Sequence, residues 1–152
     1  MSNSIRQLAA IMFTDIVGYT KLMGDDEEKG FNILNKNRSI QRPIIEKYRG
    51  IWHKDLGDGV LASFKTATDA VQCGQEIQNL CNSEKDFKIR IGIHLGEVLF
   101  DQNDVFGDGV NIASRIQDKA PPGSIYISES VYRNIQNKKG IGADFISEEF
   151  LK

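Results

Sequence analysis

Apolar residues along this chain recur with two periods, and the switches between them divide it into strands and helices. Residues 8–13 (Leu-Ala-Ala-Ile-Met-Phe) form a short apolar run that predicts a buried strand ending at Thr14-Asp15. From 25 to about 48 the spacing turns helical: Phe31, Leu34, Ile44, Ile45 and Tyr48 make one stripe opposite a charged face. Pro43 predicts a kink or a new turn within that helix, and Gly50 its end. Two strand-like runs, 51–56 and 60–64, flank Gly57-Asp58-Gly59, and Asp-Gly between such runs is a strong signal for a tight hairpin.

Thr66-Ala67-Thr68-Asp69 has the form of a capping box, opening a helix whose stripe is Ala67, Ala70, Val71, Gly74, Ile77 and Cys81. Ile89, Ile91 and Ile93 alternate with Arg90, Gly92 and His94, which predicts a strand with one face against helices and the other open for a different contact. After the 96–100 stretch, Gly107-Asp108-Gly109 opens a helix to about Lys119 that Pro121-Pro122-Gly123 ends. A short strand at 125–127, a short helix at 129–135 and the start of a final strand at 144–152 complete the reading. The order is βαββαβ with C-terminal additions, a ferredoxin-like α+β sandwich with helices on one face of a mainly antiparallel sheet.

Composition narrows the function classes. At 152 residues the chain is one domain, and a domain of this size buries roughly 68–70% of its unfolded surface. With 40% hydrophobic and 26% charged residues it reads as globular, and no apolar run approaches the ~18 residues that would span a bilayer. The first residues carry neither a hydrophobic signal core nor an Arg-rich transit pattern, so a cytoplasmic location is the expectation. A net charge of −2 with signs mixed argues against a nucleic-acid surface. Cys73 and Cys81 lie eight residues apart on one helix, about two turns, too far for a disulfide. The two histidines, His53 and His94, form no zinc-like spacing with them.

Three motifs carry the chemistry. Phe13-Thr14-Asp15-Ile16-Val17-Gly18-Tyr19-Thr20, Lys54-Asp55-Leu56-Gly57-Asp58-Gly59 and the run from Asp104 through Gly107-Asp108-Gly109-Val110-Asn111 to Arg115 stand in this order. Together they resemble the class III nucleotidyl cyclase catalytic domain, most closely the bacterial adenylate cyclases, over nearly the whole chain. The resemblance implies attack of the ATP ribose 3′-hydroxyl on the α-phosphorus, with release of pyrophosphate, assisted by two divalent cations (Mg²⁺ or Mn²⁺). Asp15 and Asp58 are the implied metal carboxylates and the Ile16 carbonyl a further ligand; singly, Asp15 also reads as a helix cap and Asp58 as a plain turn residue.

Asn111 and Arg115, four residues apart, project from one helix face. The family role of Arg115 is on phosphate oxygens and that of Asn111 on the ribose. Lys54 and Asp104 stand at the two positions that read the base, a donor and an acceptor matched to adenine N1 and N6; Asp101 and Asp108 are neighbouring acids that compete for the role of Asp104. Lys152 is the candidate triphosphate lysine. In the family each active centre is shared between two chains, so a homodimer is expected, Asp15 and Asp58 of one subunit facing Lys54, Asp104, Asn111 and Arg115 of the other. The chain reads as 1–152 of a catalytic domain lacking part of its last strand and any C-terminal regulatory region. The other readings are a cyclase-like binding module without turnover and a guanylate cyclase.

Overall fold

The structure, a computed structural model, describes residues 4–102 and 104–142. The elements run β1 (Ile5–Ile16), α1 (Tyr19–Asp25), α2 (Glu27–Lys47), β2 (Ile51–Leu56), β3 (Gly59–Phe64), α3 (Ala67–Asn82), β4 (Ile89–Asp101), β5 (Asp104–Phe106), α4 (Asp108–Lys119), β6 (Ile125–Ile127) and α5 (Glu129–Ile135). The sheet order is β2-β3-β1-β4-β5, with β6 parallel to β4 and every other pairing antiparallel. This is the α+β sandwich the pattern predicts. The expected final strand at 144–152, and Lys152 with it, lies outside the described residues.

Alternation decides which residues meet which layer. Ala10, Met12, Val60, Ala62, Phe64, Ile89, Ile91 and Ile93 point to one face and pack with Ile33, Ile44 and Ile45 of α2, Ile77 of α3 and Val131 of α5. Full burial of each large aliphatic side chain here contributes about 1.5–3 kcal/mol. Ala9, Ile11, Phe13, Leu61 and Val98 point the other way and pack with Val105 of β5 and Ala113 of α4. The face expected to stay open is thus partly covered: α2, α3 and α5 share one side, and α4 crosses the other. Gly92 makes that crossing possible, because a Cβ there would lie 2.3 Å from the Gln117 backbone nitrogen.

Several local details depart from plain periodicity. The helix expected from 25 to 48 is α2, and a short helix before it, α1, went unpredicted; between them Asp26 is extended at φ −152° and its side chain caps α2 by accepting the Lys29 N–H at 3.1 Å. Pro43 neither stops nor restarts α2; it sits on the exposed side, where the bond it fails to donate opens no buried gap. Thr66 caps α3 as its capping box predicts, accepting the Asp69 N–H at 3.0 Å. β4 continues through the 96–100 stretch to Asp101, and Gln102, at φ 48°, turns the chain into β5. β2 carries a bulge: Trp52 pairs with Ala62 and Lys54 with Leu61, so His53 is the extra residue.

Candidate active site

The C-terminal end of β1 and the β2–β3 turn are brought together by register. Leu56 pairs with Gly59, leaving Gly57 and Asp58 as a two-residue loop in which Gly57 takes φ +62°, the positive value such a turn demands at its first position. A side chain on Gly59 would lie 2.6 Å from the Thr14 carbonyl, so the hairpin reaches β1 only because that residue is glycine. Asp58 then accepts the Ile16 N–H on Oδ2 at 2.8 Å, one residue from Asp15. Asp15, Ile16 and Asp58, the expected metal set, are therefore neighbours.

Asp15 does not cap the next helix; Gly18 holds that position. Instead it faces its cross-strand partner Arg90, which donates from Nε to Oδ1 at 3.0 Å and from Nη2 to Oδ2. The third guanidinium nitrogen donates to the Asp118 carbonyl at 3.0 Å, tying the pair to the end of α4. Sequence reading passed over Arg90, which looked like one polar residue in an alternating strand. Only the β1–β4 register reveals that it stands opposite Asp15.

The donor set suits a hard divalent cation. It consists of carboxylate and carbonyl oxygens, with one Asp58 oxygen committed to a backbone N–H and the other left for a ligand. Among the described residues no cluster of three or more His, Cys, Asp or Glu side chains could cage a metal alone. Mg²⁺ takes one or two protein carboxylates and completes its shell with phosphate oxygens and water.

Lys54 and Asp104 come from strands at opposite edges of the sheet path, and they meet. The long β1–β4 ribbon curls so that its far end returns over β2: the His53 and Phe100 rings lie 5.8 Å apart, and Lys54 Nζ is 2.9 Å from Asp104 Oδ1. Of the three acids that the sequence left open, Asp104 is the one at this distance. Asp101 stands across the hairpin from it, and Asp108 opens α4. The hydrogen bond from Lys54 holds the Asp104 carboxyl below the usual carboxylate range, with the Val105 N–H adding to the effect. Phe106, largely exposed, presents its ring 5.5 Å from the same ammonium.

Helix α4 buries Gly109, Ala113, Ile116 and Gln117 against the sheet. Asn111 and Arg115 lie on a separate stripe, both exposed, and neither side chain is engaged in a hydrogen bond or ion pair among the described residues. Both are open to a ligand. By register, Lys54 pairs with Leu61 and Leu61 with Phe13, two residues short of Asp15, so Lys54 and Asp15 share the α4 side of the sheet. Among the described residues no hydrogen bond or ion pair joins Asp15 or Asp58 to Lys54 or Asp104. Among the described residues no helix is long and apolar enough to cross a membrane.

Comparison with known proteins identifies the family and the fold. Residues 2–150 match the family model described as the adenylate and guanylate cyclase catalytic domain. A Rhizobium meliloti (strain 1021) protein named "Putative adenylate cyclase 3" is 33% identical over 153 residues, covering 95% of this chain and 26% of that protein. The chain thus spans about a quarter of that relative's length. Among solved structures, an adenylate/guanylate cyclase/hydrolase from Silicibacter pomeroyi superposes with a TM-score of 0.86 at 32% identity, covering 99% of this chain and 92% of that one. The adenylyl cyclase CyaB from P. aeruginosa gives 0.81 at 26% identity, covering 90% of this chain and 84% of that one.

Proposed function

The chain belongs to the family of adenylate and guanylate cyclase catalytic domains, and from that premise we propose that it is an adenylate cyclase, forming 3′,5′-cyclic AMP and pyrophosphate from ATP at the interface of a homodimer. The observation that carries the choice of ATP is the contact of Lys54 with Asp104 at 2.9 Å, a donor beside an acceptor. Adenine offers an acceptor at N1 and a donor at N6, and this pair complements both. Guanine presents the reverse pattern at O6 and N1 and would leave both groups mismatched, which is where large discrimination comes from. Both side chains are more than a third exposed, so opening their ion pair to admit the base costs at most about 1 kcal/mol. The names of the Rhizobium and Pseudomonas relatives support the same choice.

The reaction joins the ribose 3′-oxygen to the α-phosphorus as the bond to the bridging oxygen breaks and pyrophosphate leaves. Charge gathers on phosphoryl oxygens, and Arg115 offers them a planar fork of donors, while Asn111, one turn earlier, orients the ribose. Asp15, Asp58 and the Ile16 carbonyl would hold two divalent ions; when bound, such a pair supplies a lowered pKa for the attacking hydroxyl and charge neutralisation for the leaving group. Asp15 and Asp58 of one subunit serve the same centre as Lys54, Asp104, Asn111 and Arg115 of the other. The exposure of Asn111 and Arg115 supports that division.

The decisive test is incubation of the chain with ATP, GTP or CTP and Mg²⁺ or Mn²⁺, followed by mass-spectrometric identification of the product. Cyclic AMP from ATP is expected. Cyclic GMP as the dominant product would replace the reading with a guanylate cyclase, and bound nucleotide without any cyclic product would replace it with a binding module.

A further inference from the structure

The turn that carries Asp58 is gripped from two sides, and only one of them is β1. Arg38, on α2, donates from Nη2 to the Gly57 carbonyl at 3.3 Å, and the same nitrogen lies 3.5 Å from Asp55 Oδ2. The other oxygen of Asp55 accepts the Trp52 indole N–H at 2.9 Å, and the Trp52 ring lies 4.2 Å from the guanidinium carbon of Arg42. Asp55 is therefore occupied in holding Arg38 and Trp52. Arg38 Nε is buried without a partner, a loss that a half-exposed arginine free to choose its rotamer would avoid by turning to water. Its rotamer is instead the one that reaches the turn. From the same helix Gln41 donates to the Thr14 hydroxyl at 3.2 Å, so α2 also holds β1 beside Asp15.

The loop between Leu56 and Gly59 starts with a glycine at positive φ, the residue with the most backbone freedom. Held by the Ile16 N–H alone, Asp58 could pivot about Gly57. With the Gly57 carbonyl fixed as well, the carboxylate has one position. We propose that Arg38 is a positioning residue for the cation site: through the Gly57 carbonyl it fixes the Asp58 turn at the place where its carboxylate and that of Asp15 share a divalent ion. The proposal rests on the reading of Asp15 and Asp58 as cation ligands and adds a group that touches neither ion nor nucleotide.

The test is a titration of the chain with Mn²⁺ alone, following free Mn²⁺ by electron paramagnetic resonance, with thermal midpoints recorded in parallel. Arg38→Met keeps the aliphatic stem and removes the donors, and it is expected to raise the Mn²⁺ dissociation constant by about tenfold or more, the scale of one lost charge-assisted hydrogen bond. Arg38→Lys, whose ammonium still reaches a carbonyl, should stay within about twofold of the wild type. Arg42→Ala loosens the same hairpin through Trp52 without touching the turn; it should lower the thermal midpoint and leave Mn²⁺ affinity as it was. Equal weakening by Arg38→Met and Arg42→Ala, or wild-type affinity in Arg38→Met while Asp58→Asn binds poorly, would overturn the role of Arg38. Wild-type affinity in Asp58→Asn would instead overturn the cation site beneath it.

Discussion

At Asp15 the proposed divalent ion would compete with a guanidinium. Arg90 donates to both carboxylate oxygens in a partly buried setting, where a charge-assisted hydrogen bond contributes about 1.5–3 kcal/mol. Arg90→Gln removes the competitor, so Mn²⁺ measured without nucleotide is expected to bind this variant several-fold more tightly than the wild type; unchanged or weaker binding would show that the pair does not compete. The placement of the site residues was largely legible: the acids at a strand end and in a turn, and the Asn and the Arg one helical turn apart on α4. Arg90 was not legible. Its role depends on which residue of β4 stands opposite residue 15, and registration between strands 75 residues apart leaves no local trace.

Helix α4 owes its seat to a missing side chain. At Gly92 an added Cβ would meet the Gln117 backbone, which cannot swing aside as a flexible side chain would. Gly92→Ala should push α4 off β4, costing about 1–3 kcal/mol of stability, read as a lowered urea midpoint, and carrying Asn111 and Arg115 out of line, so that turnover falls further than stability does. An unaltered urea midpoint would mean that the helix gives way freely. Most elements were readable from period and punctuation, including the capped α3 and the turn at Gly57-Asp58. The side of the sheet that α4 takes was not, because an alternating glycine reads the same on an open face as under a helix. Nor was β5, three residues long, whose pairing depends on a tight reversal at Gln102.

At the scale of the whole molecule, Asp15 and Lys54 lie on one side of the sheet without touching, an arrangement suited to two half-sites completed by a second copy. Asp15→Ala and Arg115→Ala chains should each be inactive as homodimers. Their mixture should recover about a quarter of wild-type turnover or less, since a mixed dimer retains one sound centre of two and random pairing yields such dimers half of the time. No recovery from folded, dimeric partners would argue for a site within a single chain. The bulge at His53 reaches furthest through this design. Strict alternation from Trp52 would send Lys54 toward the arginines of α2 and Asp55 toward the acid at 104, a like-charge clash on each side. One surplus residue reverses the parity, and both neighbours arrive opposite a partner of opposite sign. A relative lacking the residue at 53 would set its lysine opposite the same leucine by plain alternation, so the bulge absorbs a surplus residue and leaves Lys54 and Asp55 on the sides they would otherwise have lost.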